Sequence, residues 1–319
     1  MGEVRAFVVL SFVGREPRFI ETPGRVVEIT ARTIHGRYLL RPSPVVNELV
    51  LGVVGRAQAK YDMVLFAFVF MSNHMHLLAK AESVQQMSLF MGFALGNIAR
   101  EVGVVHQWRQ KIWARRYHHA PVKDDEADQI SRFRYLLKNG CKEDLVASPL
   151  DWPGVTTASA LHNGQRELTG RWFDRTAAYR AGRPRGDREF SSVETVRLSP
   201  MPFLADRSAA DQQRFVIDSV RQIEEETAER HRANGSRPIG ARLVNSQRPH
   251  AAPKNFTPSP APRFHASNRK AYQELLEARR NKVAAYRWAA ERLKAGERDG
   301  EFPHDCFPPG LPFIEPEPT

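Results

Sequence analysis

Two histidines one residue apart, His74 and His76, lie inside the apolar stretch Val64–Ala79 (VLFAFVFMSNHMHLLA). Val64–Phe70 is rich in β-branched and aromatic residues and Leu77-Leu78-Ala79 is apolar again, so both flanks read as buried strand. In an extended segment alternate residues share a face, which points His74 and His76 one way and Met75 the other. Two imidazoles on one pleat face can share a divalent cation. The same spacing also serves plain hydrogen-bonded strand histidines, and the pair alone does not choose between them. A second constellation is Tyr135 with Asn139, one helical turn apart and therefore able to reach a common point. Ile130, Phe133 and Leu137 mark the buried face of that helix. Tyr135 lies about 200° round from Phe133 at 100° per residue, beside Ser131, Arg132, Lys138 and Asn139. A tyrosine on a polar, basic face is either an ordinary half-exposed aromatic or a working group.

The elements that must hold these residues follow from the pattern. Arg25–His35 (RVVEITARTIH) alternates and is β-branched, predicting a first strand. Ser43 followed by Pro44 opens a helix through Val45–Lys60, with Val46, Leu49, Val50, Val53, Val54 and Ala57 at helical spacing. Met63–Phe70 and His74–Lys80 are the second and third strands. Ser83–Glu101 is an amphipathic helix with Met87, Phe90, Met91, Ala94, Leu95 and Ile98 on one face, a core stripe rather than a cofactor box. The end of Trp108–Val122 (WRQKIWARRYHHAPV) supplies a fourth strand. Asp124-Asp125-Glu126 starts a helix with acids in its first turn, running to about Asn139 and stopping at Gly140 as a C′ residue. The order β-α-β-β-α-β-α predicts an α+β fold, a helix-backed and mostly antiparallel sheet.

The chain has 319 residues, 42% of them hydrophobic, enough for one good core and a second module. Lys and Arg number 47 against 36 Asp and Glu, a net charge of +11, which favours a polyanionic partner. Only two cysteines, Cys141 and Cys306, are present, which excludes a disulfide framework and a four-cysteine zinc site. No basic start followed by an apolar core marks a secretory signal, and no apolar run is read as membrane-spanning. These features predict a soluble, reducing, cytoplasmic protein without a membrane partner.

Beyond Trp152-Pro153 the pattern weakens. Ala6–Val13 reads equally as an extra strand or a leader. Leu168–Ala181 reads as a short helical packing element, Gly182–Glu189 as a basic loop, Asp206–Arg232 as a charged helix, and Arg237–Arg263 as a linker or extended arm. Asn268–Lys294 is a long helix with a basic face, and the Pro-rich tail Phe302–Phe313 is placed to pack back on the core. The expected division is a leader or strand (1–24), a catalytic domain (25–160), an accessory helical region (161–236), a Pro-rich linker (237–264), and a C-terminal helix and tail (265–319).

Phe70-Met-Ser-Asn-His-Met-His-Leu-Leu78 resembles the His-hydrophobic-His signature of the IS200-like single-tyrosine transposases, including the REP-associated ones. Trp113-Ala-Arg-Arg-Tyr117, Arg134-Tyr-Leu-Leu-Lys-Asn139, Asp144-Leu-Val-Ala-Ser-Pro149 and Asp151-Trp-Pro153 are similar to the family's downstream run, in the same order. The resemblance covers roughly residues 25–160. Where many relatives continue Asn-Pro after the tyrosine helix, this chain has Asn139-Gly140.

The resemblance implies a ferredoxin-like sheet of the His-hydrophobic-His endonuclease type, followed here by a mostly helical extension. It implies that His74 and His76, with Asn139 at the matching third position, bind Mg²⁺ or Mn²⁺. It implies that Tyr135 attacks a phosphodiester, leaving a 5′-phosphotyrosine and a free 3′-OH. Since a phenol ionises near pH 10, the cation and Arg132 or Lys138 would help form the phenolate. The implied partner is single-stranded or hairpin DNA, handled by a monomer or a homodimer. Trp108, Trp113 and Tyr117, interleaved with Arg109, Lys111, Arg115 and Arg116, would offer stacking surfaces beside phosphate-binding charges; His118 and His119 would face DNA or solvent. Two other readings stand. One is a rolling-circle initiator or relaxase-type nickase, disfavoured because the tyrosine follows the histidines and no helicase-like Gly-rich loop is found. The other is a domesticated DNA-binding relative, disfavoured because all three key side chains are present.

Overall fold

The computed structural model describes residues 24–182, 188–253, 262–266, 268–297, 300–303 and 306–309. The Ala6–Val13 run, most of the basic loop after Gly182 and the end of the Pro-rich tail lie outside them.

The first half runs β1 (Val26–Arg32), α1 (Pro44–Tyr61), β2 (Val64–Phe70), β3 (His74–Lys80), α2 (Val84–Val105), β4 (His118–Pro121), α3 (Glu126–Leu137) and a single turn, α4 (Asn139–Lys142). The four strands form one sheet in the order β2-β3-β1-β4, every neighbouring pair antiparallel. This is the helix-backed antiparallel sheet predicted from the order of elements, in the ferredoxin-like strand order that the resemblance implies. Local chemistry fixes the helix starts. Ser43 caps α1 by accepting from Val46 N–H, with Pro44 in the first turn, Ser83 caps α2, and Asp125 caps α3 by accepting from Asp128 N–H at 2.8 Å. β3 occupies the residues its pattern predicted, whereas β4 keeps only the last residues of its stretch.

Period two divides the sheet faces. Met75 and Leu77 of β3 join Phe68 and Phe70 of β2 against Val54 of α1 and Phe90, Met91, Ala94, Leu95 and Ile98 of α2. α2 is long and apolar enough to cross a membrane by length and composition, contrary to the expectation from the sequence. Its Met87, Phe90, Met91 and Ile98 are nevertheless buried in this core. His74, His76 and Leu78 occupy the opposite face, which α3 covers by burying Phe133, Leu136 and Leu137.

The second half continues with α5 (Ala158–His162), β5 (Glu167–Phe173), α6 (Arg175–Arg180), β6 (Ser191–Arg197), α7 (Ala209–Asn234), α8 (Ala241–Asn245) and α9 (Arg269–Lys294). The helical element expected over Leu168–Ala181 is found only in its second part, as α6; its first part is strand β5, paired antiparallel with β6. The predicted linker also holds α8 and is tied to the core, Tyr38 N–H donating to Ala251 O at 2.9 Å. The β5–β6 hairpin lies on α1 through glycines. A Cβ on Gly170 would fall 2.3 Å from Gly52 N and 2.4 Å from Glu48 O, and one on Gly52 would fall 2.1 Å from Arg171 O. Backbone meets backbone there, so nothing can give way. Gly170→Val should lower stability by about 1–3 kcal/mol, as overpacking does, with a lower melting temperature. An unchanged melt would show that the hairpin is free to move off α1.

Candidate active site

β3 carries His74 and His76 side by side, ring centroids 5.0 Å apart and interplanar angle 83°. His76 Nδ1 lies 2.7 Å from Oε1 of Glu28. Glu28 sits on β1 two residues from Thr30, the cross-strand partner of His76, and hence on the same face. It is only 4% exposed. Burial works against its charge, but hydrogen bonds from His265 and His76, with the charges of His76 and Arg132, hold the carboxyl well below the usual carboxylate range. A carboxylate can only accept, so the shared proton belongs to His76 Nδ1, and in the neutral imidazole the Nε2 lone pair is left for the site.

His74 is placed between two amides. Its Nδ1 is 2.7 Å from Asn73 Oδ1 and its Nε2 is 3.3 Å from Asn139 Oδ1. Burial, followed by the positive charges of His76 and Arg32, pushes its pKa well below the ordinary imidazole value, with only the Asn139 contact opposing. A neutral imidazole has one N–H but here faces two oxygens, so one contact sets lone pair against lone pair. The short contact to Asn73 takes the proton, and Nε2 and Asn139 Oδ1 are left facing each other. A cation between them removes that conflict. Neighbouring ligands on an octahedral ion with bonds of about 2.1 Å lie about 3 Å apart, close to the spacing found. The His74–Asn139 spacing therefore fits two ligands of a divalent cation, with His76 beside them as the third candidate, and two imidazoles with one amide oxygen suit Mn²⁺ at least as well as Mg²⁺. Among the described residues no three His, Cys, Asp or Glu side chains gather into a metal cluster, so the amide is needed to complete a set.

Asn139 reaches this point because the helix breaks before it. Lys138 leaves helical geometry (φ −78°, ψ 4°) and α4 starts anew at Asn139, which is 1% exposed. Gly140 is not the left-handed C′ residue expected. A Cβ there would meet Val146 Cγ2 at 2.9 Å and Trp152 Cε3 at 3.4 Å, so the glycine admits close packing. Trp152 in turn donates to Phe70 O at 3.0 Å, tying the asparagine's turn to the end of β2.

Tyr135 stands on the same side of the sheet as the histidines, its ring 5.8 Å from that of His76, edge to face. Arg132 lies over the ring with Cζ 3.6 Å from the centroid, and Lys142 Nζ donates to the hydroxyl at 3.2 Å. The Tyr135 ring packs on His76, His76 lies beside His74, and His74 touches Asn139, so the four candidates are contiguous within a single chain. Cations beside a phenol oxygen and an imidazole pair can hold a phosphate group and favour a phenolate.

Several expected assignments change. Lys138 turns away from Tyr135 toward Glu226 of α7, 3.9 Å distant, and Lys142 takes the place proposed for it. Arg132 is mostly internal, its side chain 13% exposed and 3.5 Å from Glu28 Oε2, so it is not an open phosphate contact. Tyr117 is buried in the core with its hydroxyl 3.3 Å from Ser88 Oγ and offers no face to a base. Trp113 packs on the core and donates to Leu95 O at 2.9 Å. Trp108 is partly buried, with Arg37 over its ring and His250 beside it. Arg109, Lys111, Arg115 and Arg116 are exposed; Arg109 and Lys111 line an open groove with Arg100 and Trp108. His118 is half-buried and donates to Pro262 O at 2.8 Å. Sequence reasoning missed Glu28, Lys142, Asn73 and His265. A lone acid within an otherwise apolar strand was a signal for Glu28. Lys142 lies seven residues after Tyr135, the same face two turns on, but falls beyond the expected helix end. His265 had no local signal.

Among solved structures the chain is similar to a REP-associated tyrosine transposase bound to a REP hairpin, with 16% identity, TM-score 0.35, and coverage of 49% of this chain and 82% of that one. It is also similar to a candidate transposase from Deinococcus radiodurans R1, with 16% identity, TM-score 0.28, and coverage of 42% and 95%. No curated protein matches the chain. Residues 34–135 match the family described as "Transposase IS200 like". That segment opens just after β1, carries both histidines and closes on Tyr135.

Proposed function

We propose that this chain is an IS200-like transposase that cuts and rejoins single-stranded, hairpin-flanked DNA in a metal-dependent reaction through a 5′-phosphotyrosine on Tyr135. The observation that carries the reading is the convergence of Tyr135 on His76, His74 and Asn139 from one face of one chain. Tyr135 Oη attacks the phosphorus, an O–P bond to the tyrosine forms, and the bond to the 3′ oxygen breaks. The phenol's proton is lost and the 3′ oxygen gains one, so the number of phosphodiester-type bonds is unchanged. Reversal by a 3′-OH reseals a strand with no nucleotide cofactor. Lys142 donates to the phenol oxygen, where negative charge develops as the bond to phosphorus forms, while Arg132 holds the ring from above. Glu28 fixes the tautomer and direction of His76. When bound at His74, His76 and Asn139, Mg²⁺ or Mn²⁺ supplies Lewis acidity toward a phosphate oxygen. The exposed Arg109, Lys111, Arg115 and Arg116 supply charge for the DNA backbone.

The test is incubation with single-stranded hairpins from the flanks of the protein's own gene, followed by denaturing electrophoresis. A covalent adduct with a free 3′-OH on the released strand is expected; its absence with every flank and with both metals would overturn the reading. Lys142→Met should slow adduct formation by about 10–100-fold near neutral pH, the range of one charge-assisted hydrogen bond. The deficit should shrink as the pH is raised and the phenol ionises unaided. A deficit that stays constant with pH would give Lys142 a phosphate-binding role instead.

A further inference from the structure

Glu28 divides its two oxygens. Oε1 takes His76, and Oε2 takes Nε2 of His265 at 2.5 Å, with Arg132 Nη1 at a longer 3.5 Å. Arg132 Nη1 also lies 2.9 Å from His265 Nδ1. A guanidinium only donates and a carboxylate only accepts. Arg132 Nη1 is also 3.4 Å from His265 Nε2; with a neutral His265 the arrangement that leaves no donor unmatched has Arg132 donating to Nδ1, His265 Nε2–H donating to Glu28, and His76 Nδ1–H donating to the other oxygen. The same guanidinium lies over the Tyr135 ring, so His265 sits where the supports of the metal-ligand candidate and of the nucleophile meet.

His265 comes from far outside the segment that matches the family, which ends at Tyr135. It is nevertheless held as part of the sheet. Its N–H donates to Pro121 O at 2.9 Å and its carbonyl accepts from Lys123 N–H at 3.0 Å, a parallel bridge alongside β4. Pro262 O accepts from His118, and Phe264 next to it is buried, 6.0 Å from the Tyr272 ring of α9. The C-terminal arm thus adds a short edge strand whose one inward imidazole reaches across β4 to a carboxylate on β1.

We propose that His265 is a positioning residue for the active site. It locks Glu28, and through Glu28 the metal-binding orientation of His76, so that residues after 260 complete a site the family segment alone leaves loose. The inference rests on the metal-dependent reading above. Its test is Mn²⁺ affinity of the full-length protein, measured by electron paramagnetic resonance without DNA, for His265→Ala, His265→Phe, His265→Gln and His76→Ala. His265→Ala and His265→Phe should each weaken Mn²⁺ binding by about 10–100-fold, the usual cost of losing a group that orients a ligand. His265→Gln should recover most of it, because its amide can accept from Arg132 and donate to Glu28. Equal affinity in the Phe and Gln variants would reduce His265 to packing and overturn the proposal. That comparison decides even where the alanine variant does not fold. If His76→Ala loses Mn²⁺ binding but every His265 variant keeps it, this inference alone fails. If His76→Ala binds Mn²⁺ as well as the native protein, the metal reading itself fails and this inference with it.

Discussion

Tyr135→Phe eliminates the covalent protein–DNA adduct, a fall on the order of 10⁴-fold or more as expected for removing a nucleophile, while the melting temperature and hairpin affinity stay near native values. The substitution deletes one oxygen. The ring remains under Arg132 and edge-on to His76, so packing is preserved. The lost contact is a half-exposed hydrogen bond from Lys142, and an exposed ammonium finds water instead. Denaturing gels read the adduct and gel shifts read the binding. Adducts persisting at native levels would assign the chemistry to another residue. Tyr117, next along the family run, is poorly suited to inherit it because its hydroxyl faces Ser88 in the core.

His76→Ala has the second largest effect: strand cleavage falls by more than about 100-fold, and stimulation by Mn²⁺ or Mg²⁺ disappears with it. The bound is set by the 10–100-fold typical of groups that merely orient a ligand, since His76 is the proposed ligand itself. The variant also strips Glu28 of one partner, and an unsatisfied buried carboxylate oxygen costs about 1–3 kcal/mol. A thermal melt is needed beside the assay: a lower melting temperature alone cannot remove the metal response of molecules that remain folded. Native cleavage rates in EDTA would end the metal role for the wild-type protein.

The alternation of β1, β2 and β3 and the 3.6-residue stripes of α1 and α2 were legible because each element buries one face against a single core, so its period records its surroundings. The same logic put His74 and His76 opposite Met75. It failed at Gly140, where glycine punctuates nothing and admits the Trp152 ring, and with that error went Lys142. It failed again at β5, where the interior Gly170 exists to meet Gly52; a contact between backbones leaves no periodic trace. The Trp-Arg run looked like a stacking surface because aromatic and basic residues alternate, yet Tyr117 and Trp113 point inward. His265 shows the limit most clearly. Its partners, Glu28 and Arg132, lie hundreds or scores of residues away, and pairing at that separation is decided by the assembled sheet.

If the proposed function holds, a site in which Tyr135 and the histidines meet within one chain would let each molecule make a first cut alone. Rate per molecule would then be indifferent to dilution, and mixing in chains that lack the phenol would reduce output only in proportion, without poisoning the remainder. A lone phenol can hold a single 5′ end at a time, so joining two ends demands either a second molecule or the discharge of the first.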